Sequence, residues 1–288
     1  MVVGLLGNEG PDSRLLGNEG PDSNRFTLVT PKPENGVRLQ ATLQSEPQGL
    51  VRGSSQIGYN MEQEFIYNPP TEPFLDILYE DEDIIVVNKP SGLLSVPGKK
   101  IEHNDSVLSR VRVNSPEAQA VHRLDMSTSG IIVVAKHKVA AGKLGKQFQE
   151  RKTEKVYFAW IAGTPEKPEG VINLPICADW EHRPLQHVDY ENGRVAITHY
   201  ICLYSDQEKT LVRLKPHTGR SHQLRLHMKE LGHPILGDHL YATPEIRAMA
   251  PHLYLHAGFL TFFHPRTGQK MSFKAIPDFP LPEGINLF

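Results

Sequence analysis

Short apolar runs, each broken by Gly, Pro, Asn or Asp, limit what this chain can become more than any other feature. Such runs are too short for long helices and suit strands joined by turns. Ile84 to Val87 is a β-branched run after an acidic turn, and LLSVPG ends at a Pro-Gly turn. GIIVVA, Gly130 to Ala135, is apolar throughout and reads as a strand buried on both faces. KVYFAWI, Lys155 to Ile161, reads as an aromatic strand. Thr198 to Tyr204 and Thr210 to Lys215 form a hairpin across SDQEK, and Tyr254 to Phe262 is a strand turned by HPRTG. Only two segments carry a helical period. Lys138 to Arg151 is basic, with Leu144 and Phe148 at i,i+4. A second helix begins at Ser221 as its cap and runs to Glu230, with Leu224, Met228 and Leu231 on one face and Gly232 past its end. Many strands and few helices on short connections predict one α+β domain, with a mainly antiparallel central sheet and flanking helices.

The first 60 residues do not follow this pattern. LLGNEGPDS occurs twice, at 5–13 and 15–23, and its residues favour turns and disorder. Two copies of nine residues cannot stack into a solenoid. No His or Cys precedes Met61. The expectation is a disordered or non-native extension over residues 1–60, ahead of one folded domain over 61–288. A small RNA-binding appendage would need a basic or periodic segment, and this one is neither.

Composition narrows the class. Hydrophobic residues make up 39% and charged residues 22%, ample for a core. Cys177 and Cys202 form no C-x-x-C pair, so two free thiols are expected. No apolar run approaches the ~18 residues of a membrane span, and the N-terminus has no signal-peptide pattern; a cytoplasmic protein is expected. Net charge is −2, but the charge is segregated. Eight acids and no Lys or Arg fall between Glu62 and Asp83, and seven bases against two acids between Lys136 and Lys155. Five bases, three histidines and no acid lie between Thr210 and Lys229. Such a chain can present a strongly positive face for nucleic acid, although any one segment alone would also suit an ordinary solvated face.

Two segments carry chemistry. VHRLDMSTSG, Val121 to Gly130, sets Asp125 in a tight polar loop just before a buried strand. That arrangement can hold a carboxylate at the base of a cleft, and it also suits a plain turn. LKPHTGRSHQLRLH, Leu214 to His227, places Arg220 at a helix start and Arg225 one turn on. A helix N-terminus with arginines attracts phosphate or carboxylate; a basic surface helix is the alternative. A metal centre has little support, since His222 and His227 are five apart and no H-E-x-x-H occurs. Walker A and G-x-G-x-x-G sequences are absent too, so nucleotide-cofactor chemistry has no foothold.

HRLDMSTSG closely resembles the catalytic motif of the RsuA/RluA group of RNA pseudouridine synthases. KPHTGRSHQLRLHM resembles that group's late motif and VVNKPSGLLSVPG its early one, and PILGDHLYATPEIRAMAPHLYLHA is similar to the RluA branch. The resemblance runs from about Tyr67 to Phe279. It implies the pseudouridine synthase fold and isomerisation of uridine in structured RNA without metal or cofactor. It implies Asp125 as the catalytic carboxylate, Arg225 as its partner, and Tyr157 stacking on the uracil or acting at C5. The target uridine would be flipped out, with Arg123 filling its place beside His122. Arg220 and the helix bearing Lys143, Lys146 and Arg151 would meet phosphates. The branch implies a 23S rRNA hairpin and a tRNA anticodon stem-loop as substrates, no obligatory protein partner and a monomer. The rivals are a non-catalytic RNA-binding protein of the same fold and a metal-dependent RNA hydrolase.

Overall fold

The computed structural model describes residues 66–288; the repeat-bearing extension expected over 1–60 lies outside them. In chain order the elements are β1 (Ile77–Glu80), β2 (Ile84–Lys89), α1 (Val107–Arg112), β3 (Gln119–Ala120), β4 (Ser129–Ala135) and α2 (Lys138–Gln149). There follow β5 (Glu154–Ala162), β6 (Glu169–Asn173), β7 (Ile176–Ala178), β8 (Gln186–Val188), β9 (Ile197–Ser205) and β10 (Lys209–Pro216). The chain ends with α3 (Gln223–Glu230), α4 (Pro244–Ala248), β11 (Leu255–Phe263) and β12 (Lys270–Lys274). The main sheet has the order β1-β2-β4-β11-β5-β10-β9-β6, with β3 on β4 and β12 on β11; β7 and β8 pair separately. Only β4 and β11 run parallel; every other pairing is antiparallel. The chain is therefore α+β as the patterning predicts.

Why β4 is a central strand follows from its side chains. All seven residues are buried. Ile132 and Val134 face α1 through Val107, Leu108 and Val111. Ile131, Val133 and Ala135 face α2 through Ala140 and Leu144. A strand covered on both faces needs apolar residues at every position rather than alternate ones. Gly130 opens it at φ +109°, and a Cβ there would lie 2.4 Å from the Ala257 carbonyl oxygen. Only glycine lets the parallel junction with β11 close. The other half of the sheet packs Val212 and Leu214 against Leu224 and Met228 of α3. Tyr157 touches both this cluster and the α1 cluster, so it stands at the seam between the two halves.

Helix ends depart from expectation in two places. α3 is capped by His222, in the left-handed region at φ 54°, and not by Ser221. The chain makes its sharp turn at His222, so the helix begins one residue later than a serine cap would require. α2 ends at Gln149, and Arg151 follows at φ 58°. The Lys152 N–H reaches the Gln147 carbonyl (2.9 Å), a Schellman-type stop in which arginine holds the place usually taken by glycine.

Candidate active site

The loop between β3 and β4 carries Asp125, and the segment after β2 holds that loop from below. Lys89 is fully buried, and its Nζ donates to the carbonyls of Pro90 (2.9 Å), Leu93 (2.7 Å) and Met126 (2.9 Å). Burial pulls its pKa down to about 7. Three acceptors around one nitrogen need the three donors of an ammonium, so the cradle opposes that pull. The Gly92 N–H also reaches Met126 O (2.9 Å), and Ser91 Oγ donates to Ser127 O (2.8 Å). Ser95 Oγ donates to Leu124 O (2.7 Å) and accepts from Leu124 N–H (3.0 Å). The early motif is thus a rack of hydrogen bonds beneath the Asp125 loop.

His122 secures the other side of the loop. Its Nε2 accepts from the Val133 N–H (3.0 Å) and its ring stacks on Phe148 at 4.4 Å. Burial and the charge of Lys155 push its pKa down to about 3, so it is neutral. Arg123, the next residue, is exposed and makes no hydrogen bond or ion pair with any described residue.

The second wall is the turn from β10 into α3. Gln223 organises it: Oε1 accepts from Thr218 Oγ1 (2.8 Å) and the Arg220 N–H (3.0 Å), and Nε2 donates to Ile197 O and Thr198 Oγ1 (both 3.0 Å). Arg220 Nε donates to Val195 O (3.1 Å). One turn into α3, the side chain of Arg225 is 3% exposed. Its Nη1 lies 3.5 Å from Asp125 Oδ2. Its closer partner is Asp238, which it grips from Nε (2.8 Å) and Nη2 (2.6 Å). Asp238 is fully buried and also accepts from the Leu240 and Tyr241 N–H groups (2.9 and 3.2 Å). The guanidinium is therefore locked before it meets Asp125.

His222 reaches the same carboxylate, with Nε2 3.9 Å from Asp125 Oδ2. Its Nδ1 lies 2.8 Å from Tyr241 Oη, which also accepts from the Gln186 N–H (2.9 Å). Burial lowers the His222 pKa, and burial raises that of Tyr241 to about 12. Tyr157 lies on β5 between Leu214 and Ala257. Burial, with the charge of Asp125, pushes its phenol well above the ordinary tyrosine range, so it is un-ionised at working pH.

Asp125, Tyr157, His222 and Arg225 line one cleft of about 1620 Å³. It is lined by ten Lys or Arg residues against three acids, Asp125, Glu154 and Glu169. The charge segregation of the sequence thus becomes a net positive groove, in which Asp125 is the acid that faces Arg225 and His222. His122, Arg123, Asp125, Arg151, Tyr157, Arg220 and Arg225 all line it. Lys143 and Lys146 do not; both are exposed on α2, and Lys146 faces Glu150 at 3.7 Å. The expectation missed Asp238, Tyr241, His222 and the individual basic residues Lys155, Arg194, Arg213 and Lys215. For Asp238 a signal existed: an arginine buried on a helix face requires a buried anion, and a Gly-Asp pair follows the buried Ile235-Leu236.

The RNA pseudouridylate synthase family model matches residues 83–230. The dual-specificity RNA pseudouridine synthase RluA of Escherichia coli (strain K12) is 56% identical over 214 residues, 74% of this chain and 98% of its own length. That of Vibrio cholerae serotype O1 is 54% identical over 201 residues, 70% and 82% of the two chains. The structure of human RNA Pseudouridylate Synthase Domain Containing 1 superposes with a TM-score of 0.58 at 31% identity, over 75% of this chain and 86% of that one.

Proposed function

The chain belongs to the RNA pseudouridylate synthase family, and from that premise we propose how and on what it forms pseudouridine in RNA. The substrates are a 23S rRNA hairpin and a tRNA anticodon stem-loop, and the enzyme is a cytoplasmic, cofactor-independent monomer. Asp125 carries catalysis. The observation that supports this most is its position: it is the cleft-lining carboxylate that faces both Arg225 and His222, in a groove where ten cations outnumber three acids.

Pseudouridylation is an isomerisation. The N1–C1′ bond breaks, uracil turns, a C5–C1′ bond forms, and the C5 proton leaves as N1 regains one. Attack by a carboxylate on the sugar, attack on the base and removal of the 2′ proton each need that carboxylate ionised. The Arg225 guanidinium sets a fixed positive charge 3.5 Å from it. Tyr157, held as a phenol, offers a ring face to uracil and a proton donor rather than a ready base. A stacked uridine must leave its helix to arrive here, and Arg123, unpartnered at the cleft, is the side chain free to fill the gap. Other cations of the cleft, Arg151, Lys152 and Arg220 among them, meet the surrounding phosphates.

Asp125→Asn keeps the shape and loses the charge. It should abolish tritium release from C5-labelled uridine in a stem-loop while leaving RNA affinity within a few-fold. Product formation near the wild-type rate would remove Asp125 from the chemistry.

A further inference from the structure

Between β6 and β9 the chain leaves the main sheet and builds the β7–β8 hairpin, whose tip does not look like an ordinary polar turn. Trp180 is 69% exposed, and the Arg183 guanidinium lies 3.9 Å over its ring centroid. Tyr190, past β8, is also 69% exposed. Neither ring joins a core cluster. The tip is built rather than loose. Asp179 N–H reaches Leu185 O (3.0 Å), Leu185 N–H reaches His182 O (2.9 Å), and Asp179 Oδ1 accepts from the Glu181 and His182 N–H groups (3.2 and 3.0 Å). A large aromatic is being held out into water under a cation.

The hairpin is tied to the active site at two points. The Gln186 N–H donates to Tyr241 Oη, which contacts His222, the neighbour of Asp125. Ile176 and Arg194 exchange both backbone hydrogen bonds (3.0 and 2.9 Å), and Arg194 lines the cleft. Trp180 is four residues from Ile176, at most ~14 Å of chain. None of the hairpin's own residues lines the cleft; the tip is anchored to the wall that carries Arg194 and His222 without reaching into it.

We propose that Trp180 and Arg183 form a stacking platform for an unpaired nucleobase of the substrate, next to the target nucleotide. Arg183 covers one face of the indole. The base takes the other face, and the guanidinium edge meets its phosphate. A platform of this kind accepts any base but only an unpaired one, so it selects loops over duplex. The inference rests on RNA being the substrate, and the test separates the two.

The full chain, Trp180→Ala and Trp180→Phe are bound to an anticodon stem-loop carrying 2-aminopurine at each unpaired loop position in turn. Affinity and the single-turnover rate at saturating enzyme are measured with the unlabelled RNA. The wild type should quench 2-aminopurine at one position, Trp180→Phe should retain most of the quenching, and Trp180→Ala should lose it. Stacking worth about 1–3 kcal/mol per base predicts that Trp180→Ala raises Kd about 5- to 150-fold, with the saturated rate unchanged. An unchanged Kd would overturn the platform, and so would a slowed saturated rate at unchanged Kd, which would make the hairpin part of the catalytic frame. A wild type that binds the stem-loop but makes no pseudouridine would instead sink the functional reading, with the Kd comparison still deciding the platform.

Discussion

Arg151 and His222 are the two non-glycine residues with positive φ among the described residues, and both line the cleft. A left-handed residue with a Cβ costs roughly 1–2 kcal/mol, and such strain persists where side-chain placement matters. At His222 the turn aims the imidazole at Asp125. At Arg151 it sends the guanidinium to 3.4 Å from His217 Nε2 over the groove. Arg151→Gly should therefore raise the melting temperature by a few degrees and weaken RNA binding in the same protein. A lower melting point would mean that the arginine is not strained. Asp238 belongs at this scale too. Removing one member of a buried pair costs about 3–5 kcal/mol, so Asp238→Asn should lower the melting point by several degrees. Assayed well below that point, it should also lose most of its turnover while still binding RNA, because Arg225 is no longer aligned on Asp125. Wild-type turnover would show that Arg225 needs no such alignment.

At the scale of elements, α2 illustrates how a helix that is basic in sequence divides its labour in space. Leu144 packs under β4, and Gly145, Phe148 and Gln149 face the cleft. Lys143 and Lys146 point away from the cleft lining, while Arg151 and Lys152 lie just beyond the helix and line it. Charge reversal should follow this division. Arg151→Glu with Lys152→Glu should flatten the dependence of log Kd on log salt by about 1–2 counterions, whereas Lys143→Glu with Lys146→Glu should change it less. Equal slopes for the two pairs would spread the RNA footprint over the whole helix. α1 is the converse case, an element that no periodicity announced. Its six residues are too few to show a helical repeat, yet Ser106 and Ser109 form a reciprocal capping box and Arg110 is bound by the fork of Asp105. Tertiary packing against β2 and β4 stabilises what local propensity would leave marginal.

For the molecule as a whole, folding buries histidines in neutral form. Burial pushes His122 down to about 3, and His227 and His256 each down to about 4. An unfolded histidine titrates near 6.5. Between pH 6.5 and 4 the unfolded chain therefore binds more protons than the native one, and stability rises with pH across that window. Lys89, near 7, is protonated in both states below it and adds no slope there. Carboxylates held low, such as Asp105 beside Arg110, contribute only below about pH 5. Urea midpoints should thus fall steeply from pH 7 to 5, and His227→Gln should make the fall shallower. A flat profile would mean that these rings are protonated in the native state.

What the sequence determined by itself was local. Runs such as GIIVVA and KVYFAWI, and the i,i+4 spacing of Leu144 and Phe148, announce strands and a helix because backbone period and side-chain polarity act over a few residues. The motifs held Asp125 and Arg225, and the family resemblance they carry pointed to Tyr157 on its strand as well. The resemblance also paired Arg225 with Asp125, but the further partners Asp238, His222 and Tyr241 were decided only by the tertiary structure. Asp125, Tyr157 and the His222–Asp238 stretch come from three separate parts of the chain, and β5, β10 and β11 must pair before they meet. A carboxylate grips an arginine by distance and burial, and no local propensity encodes either. The Lys89 cradle, the Asp238 lock and the basic groove became visible only when the sheet order brought them together.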